Sequence, residues 1–84
     1  MTRYTVVITE SAQRDLDRLD RSVARRMVAR LEGLKEDPLR QLGRLVNSPL
    51  YRLRVGHWRV IVEVDEREVR VLVVKVAHRR SIYR

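Results

Sequence analysis

The sequence contains no cysteine, which excludes a disulfide scaffold, a thiol nucleophile and a cysteine-ligated zinc site. Glycine and proline are sparse, at three and two residues, and no linker, repeat or low-complexity tract is present. A long apolar run is also missing. The stretch from Val69 to Ala77 is broken by Arg70 and Lys75, so no segment is expected to span a bilayer. Met1-Thr2-Arg3-Tyr4 lacks the apolar run of a signal peptide, so the expected compartment is the cytoplasm and no membrane partner is expected. At 84 residues, the whole span 1–84 is expected to fold as a single domain around one core.

What the chain has in excess is positive charge. Nineteen Lys and Arg against eleven Asp and Glu give a net charge of +8. From Met1 to Asp37, eight cations meet seven anions. From Pro38 to Arg84, eleven cations meet only four, all of them between Glu63 and Glu68. The first half therefore reads as scaffold with a balanced solvated face. The second half carries the electrostatic excess, which suits a polyanionic or acidic partner.

Periodicity supplies the elements. Arg3 to Thr9, rich in Val, Ile, Thr and Tyr, predicts a first strand. Thr9 offers an N-cap hydroxyl with Glu10 in the first helical turn, and Ala12, Leu16 and Leu19 make one apolar stripe. Asp20 can cap a second helix, on which Val23, Met27, Leu31 and Leu34 continue the spacing until Asp37-Pro38 stops it. After a leucine-spaced loop (Leu39, Leu42, Leu45) the period becomes two. Tyr51, Leu53 and Val55 alternate with Arg52 and Arg54, Gly56-His57 makes a two-residue turn, and Trp58, Val60, Val62 and Val64 follow. Asp65 to Glu68 is a polar turn before a last strand, Val69 to Val76. The expected class is α+β: an N-terminal strand, an antiparallel two-helix hairpin, then a three-stranded antiparallel meander, in the order β-α-α-β-β-β.

Register turns alternation into geometry. With Gly56-His57 as the loop, Val55 faces Trp58, Leu53 faces Val60 and Tyr51 faces Val62 on an apolar side. Arg54 faces Arg59 and Arg52 faces Ile61 on the other, so three guanidiniums share one face. Like charges directly opposite one another are unfavourable, and a sheet needing only solubility would interleave signs. A four-residue second turn would set Glu63 against Arg70 and Ile61 against Leu72. The last strand runs into His78-Arg79-Arg80-Ser81-Ile82-Tyr83-Arg84, which should bring Arg79 and Tyr83 near Arg59 and the turn. Arginines, a tyrosine and the two histidines His57 and His78 on one polar face suit an RNA phosphate and its flanking bases. Arg80 is expected to track the backbone rather than take part in chemistry. The two histidines and the turn acids have no metal-ligand spacing, so neither a metal nor another cofactor is expected.

The run Tyr51 to Asp65, YRLRVGHWRVIVEVD, followed by Val73 to Tyr83, VVKVAHRRSIY, resembles the RelE branch of the RelE/ParE toxin superfamily, and the order of elements agrees over essentially the whole chain. The resemblance implies a RelE-like toxin of a toxin–antitoxin pair that cleaves mRNA at the ribosomal A site. It further implies metal-free attack of a ribose 2′-hydroxyl on the adjacent phosphate, neutralisation by a small RelB-like antitoxin, and operator DNA met only through the antitoxin complex. In that pattern the basic residues of the second strand fall on Arg52 and Arg54, the arginine after the glycine turn on Arg59, the arginine after the last strand on Arg79 and the terminal aromatic on Tyr83. Arg54, Arg59, Arg79 and Tyr83 are expected to be catalytic, and Arg52, His57, His78 and Arg80 to bind RNA. The sequence departs from the pattern at His57 and Trp58, where an acid and a tyrosine are common. Arg52 and Arg54 stand where better-studied members have lysines. Arginine is not deprotonated in proteins, so the base falls to His57, His78 or Tyr83, or catalysis rests on electrostatic positioning. Two other readings share the fold: a ParE-like gyrase inhibitor that cleaves nothing, and a basic nucleic-acid-binding module without chemistry.

Overall fold

The computed structural model describes residues 3–82. Its elements are β1 (Thr5–Ile8), α1 (Glu10–Asp17), α2 (Arg21–Gly33), α3 (Pro38–Gln41), β2 (Gly43–Arg44), β3 (Tyr51–Val55), β4 (Trp58–Asp65), β5 (Arg70–His78) and α4 (Arg79–Ile82). The strands form one sheet in the order β1-β5-β4-β3-β2, with β1 parallel to β5 and the other neighbours antiparallel.

Thr9 joins the first strand to the first helix through both ends of its hydroxyl. Its Oγ accepts from the Ala12 amide at 3.2 Å, the expected N-cap, and donates to the Val73 carbonyl at 2.8 Å. Asp20 occupies the N-cap position of α2 but makes no side-chain cap bond. The apolar stripes fall as their spacing requires: Ala12 and Leu16 of α1 and Met27, Leu31 and Leu34 of α2 are buried with the sheet residues Leu53, Val55, Val60, Val62, Val71, Val73 and Val76. Each such side chain contributes on the order of 1.5–3 kcal/mol when fully withdrawn from water. Among the described residues no helix is long and apolar enough to cross a membrane.

The β3–β4 register agrees with the sequence reading pair for pair, from Tyr51↔Val62 to Val55↔Trp58. The other connections differ. Helix α2 ends at Gly33, before Asp37-Pro38, and Pro38 instead starts α3 at a position where its missing N–H is harmless. Gln41 then donates from Nε2 to the Gly33 and Glu36 carbonyls at 2.9 and 2.8 Å, satisfying the open end of α2. The leucine-spaced loop thus contains a helical turn and the short edge strand β2.

The largest difference lies in β5. Its turn is displaced, so Arg70 faces Asp65 and Leu72 faces Glu63, and the Arg70–Asp65 ion pair at 3.9 Å replaces the expected pair with Glu63. Farther along, Val62 faces Val73 but Ile61 faces Lys75, leaving Val74 as the extra residue of a β-bulge. The bulge exchanges the two sides of the strand. Before it Val71 and Val73 point to the core; beyond it Val76 does, while Lys75 is exposed. Strand β1 pairs only as far as Val73, and the next outer-edge amide, that of Val76, donates to Asp15 Oδ2 of α1 at 2.9 Å.

Candidate functional site

Strand alternation sets Arg52 and Arg54 of β3 on the side of the sheet opposite Leu53 and Val55, and puts Arg59 of β4 directly across from Arg54. The next strand continues the row with Ala77 opposite Arg59. Gly56 closes the hairpin at φ +60°, a conformation suited to glycine at the first central position of a two-residue turn. A Cβ there would also lie 2.6 Å from Arg26 Nη2, so a guanidinium from α2 rests against the turn.

Arg59 is not on an exposed patch as expected. It is 6% exposed, the one buried charged residue among those described. Its Nη1 donates to the Gly56 and Trp58 carbonyls at 3.0 and 2.9 Å, and Nε is buried without a partner. Carbonyl dipoles answer part of the charge, but no carboxylate does: among the described residues, none of Arg52, Arg54, Arg59 and Arg79 forms an ion pair. A desolvated cation without a counter-charge is unfavourable, and an incoming anion relieves it.

Arg79 opens α4 and its amide donates to the His57 carbonyl at 2.8 Å, which extends the β4–β5 ladder one step beyond Trp58↔His78. Its side chain is exposed, as is that of Arg80. The structure therefore brings Arg54, Arg59 and the start of α4 to one end of the sheet. His78 is a correction. The bulge at Val74 carries it to the side of Trp58, which packs on the core and meets the His78 ring edge-on at 5.3 Å. His78 Nδ1 also accepts from the Arg80 amide at 3.3 Å. His57 is exposed and stacks on His78 with centroids 6.2 Å apart. Tyr83 lies outside the described residues.

Three guanidiniums that the sequence could not place also come to this end of the molecule or to its edge. Arg26 sits at the turn, and Arg30 and Arg40 line a cleft of about 290 Å³ with Gln41, Leu42, Gly43, Arg52 and Arg54. Arg30 falls outside the buried Met27–Leu31–Leu34 stripe, a position that by itself marks only a solvated residue. Among the described residues no three His, Asp or Glu side chains converge as a metal-ligand set. The site can grip and polarise phosphate through bidentate guanidinium contacts.

A model of the family described as ParE toxin of type II toxin–antitoxin system matches residues 6–83. Toxin RelG of Mycobacterium tuberculosis is 34% identical over 89 residues, covering 96% of this chain and 97% of that protein. Toxin RelE of the same organism is 33% identical over 84 residues, covering 96% and 87%. Among solved structures, the M. tuberculosis toxin–antitoxin complex RelBE2 matches with a TM-score of 0.83 and 29% identity, over 92% of this chain and 99% of the other.

Proposed function

This chain belongs to the RelE/ParE superfamily of type II toxins, and we propose from that premise that it is an endoribonuclease cutting mRNA on the ribosome. The observation that carries this reading is the directly opposed Arg54–Arg59 pair, with no carboxylate among the described residues to neutralise it, beside the start of α4. In the reaction a ribose 2′-oxygen bonds to phosphorus as the bond to the 5′-oxygen breaks. The products are a 2′,3′-cyclic phosphate and a 5′-hydroxyl. The 2′ proton leaves to a base, and the 5′-oxygen takes one up. Negative charge gathers on the phosphoryl oxygens between, where guanidiniums held in place stabilise it most. Arg54 and Arg79 supply exposed donors and Arg59 a desolvated one. The base stays among His57, His78 and Tyr83, of which the two histidines stack on each other at the turn end of the sheet.

A RelB-like antitoxin is the partner expected to silence the toxin, since the M. tuberculosis neighbour is a RelBE2 toxin–antitoxin complex. An acidic segment laid over uncompensated guanidiniums would do so, and operator DNA would be reached through that complex. The site of action is the cytoplasm. A gyrase-directed ParE-like activity is the second reading, favoured by the description of the matching family model.

A cell-free translation reaction separates the two. Added toxin should cut the message, and Arg79→Ala should cut about 10²–10³-fold more slowly, the usual loss for one transition-state donor. Intact message with excess toxin overturns the ribonuclease reading, and lost gyrase supercoiling beside intact message establishes the second.

A further inference from the structure

The cleft between β3, α2 and α3 adjoins the reaction site and shares Arg54 with it, but its other arginines have no part in the reaction above. Its lining sets Arg30 of α2 and Arg40 of α3 around the same space as Arg52 and Arg54. Of these four, only Arg40 has an ion-pair partner among the described residues, a 3.6 Å contact from Nε to Asp37 with both side chains well exposed. Exposed pairs of that kind are worth little and yield readily to a stronger anion. Among the described residues no carboxylate lines the cleft.

The cleft is built by specific contacts. Gln41 clamps α3 to the end of α2 through its two carbonyl bonds, fixing the Arg40 wall relative to the Arg30 wall. Arg52 is half-buried and packs over Gly43, where a Cβ would stand in van der Waals contact, 3.5 Å from its Nε. Strand β2 covers β3 only at Tyr51 and Arg52, so the strand edge beyond is open to the cleft. The space is an open groove of about 290 Å³. Planar, bidentate donors on several walls with no competing acid are the surroundings in which phosphate oxygens bind best.

We infer that this cleft is a second phosphate site, which holds a phosphodiester of the RNA backbone outside the bond being cut. The inference rests on the ribonuclease reading for the identity of the strand, but binding at the cleft is measurable without cleavage. Arg52 and Arg54 then work from the boundary between the two sites, while Arg30 and Arg40 serve the outer one alone. The strand is message or ribosomal RNA; the chemistry recognised is the same.

The test uses the purified full chain and the double variant R30Q/R40Q, with R30K/R40K as a charge-preserving control. Each is titrated across a range of salt with an uncleavable 2′-O-methyl RNA strand, with ribosomes whose A site is empty, and with an acidic antitoxin peptide. R30Q/R40Q should weaken RNA binding about tenfold, the size of one charge-assisted hydrogen bond. Its salt slope should fall by about 0.7 for each phosphate that the variant no longer neutralises. R30K/R40K should keep the slope while giving up part of the bidentate affinity. Weakened binding of the free strand assigns the site to message, and weakened binding of ribosomes alone assigns it to ribosomal RNA. Unchanged affinity and slope in both RNA titrations, or an effect confined to the acidic peptide, overturns the inference. A toxin that binds RNA through the cleft but leaves message intact would remove the ribonuclease reading and keep the phosphate site.

Discussion

The two faces of the sheet are made by the same strands and differ in whether their demands are met inside the molecule. On the helix side, Leu53, Val55, Val60, Val62, Val71, Val73 and Val76 are all buried, and their partners from α1 and α2 complete the packing. On the other side, Arg52, Arg54 and Arg59 stand on the adjacent strands β3 and β4 with no ion-pair partner among the described residues. The first face is closed by apolar burial. The second calls for a charge of opposite sign from another molecule. Stability and activity should therefore separate along a single strand, residue by alternate residue.

Leu53 and Arg54 offer the largest contrast, being neighbours in sequence on opposite faces. Leu53 is 1% exposed, and Leu53→Ala should lower unfolding stability by about 2–5 kcal/mol, seen as a lower urea midpoint. Arg54→Ala should move that midpoint by no more than about 0.5 kcal/mol while slowing RNA cleavage about 10²–10³-fold. Equal stability losses in the two variants would erase the distinction between the faces.

Arg59 crosses the boundary, since it lies on the open face yet is buried. Arg59→Met keeps a long flexible side chain and removes both the charge and the unpartnered Nε. Replacing a buried cation with an apolar group of similar shape is often neutral or stabilising, so the urea midpoint should hold or rise by about 1 kcal/mol or more. Cleavage should still fall about 10²-fold. A clear stability loss would mean that the two carbonyl bonds of Nη1 serve mainly to hold the hairpin together.

How much of this was legible depends on the turns. Gly56-His57 leaves one solution for the β3–β4 hairpin, so Arg54 against Arg59 could be read from the sequence. The β4–β5 hairpin could not, because Val69 to Val76 is mostly valine and one added residue leaves the apolar pattern almost unchanged. One signal was available. Alternation carried inward from Val71 and Val73 would bury Lys75 without a partner, and a bulge at Val74 avoids that cost. Missing it placed His78 on the wrong side. Gly33 was likewise a sufficient stop for α2, ahead of Asp37-Pro38. The burial of Arg59 and the cleft walls arise from contacts between distant elements, which no local spacing encodes.

The most local predicted effect concerns the edge that the bulge leaves behind. Past Val73 the outer side of β5 has no strand partner among the described residues, and the Asp15 carboxylate takes the Val76 amide in its place at 2.9 Å. Asp15 is half-buried, so what matters is the acceptor oxygen as much as the charge. Asp15→Ala leaves the Val76 N–H without that partner and should cost about 1–3 kcal/mol. Asp15→Asn keeps an acceptor of the same reach and should cost about 1 kcal/mol or less, the difference between a charged and a neutral hydrogen bond. Amide exchange at Val76 should quicken in the alanine variant and stay near the parent rate in the asparagine variant. Fast exchange in both variants would show that the carboxylate, and not any acceptor of that reach, holds this edge; parent-like exchange in both would show that the bond to Asp15 does not hold it.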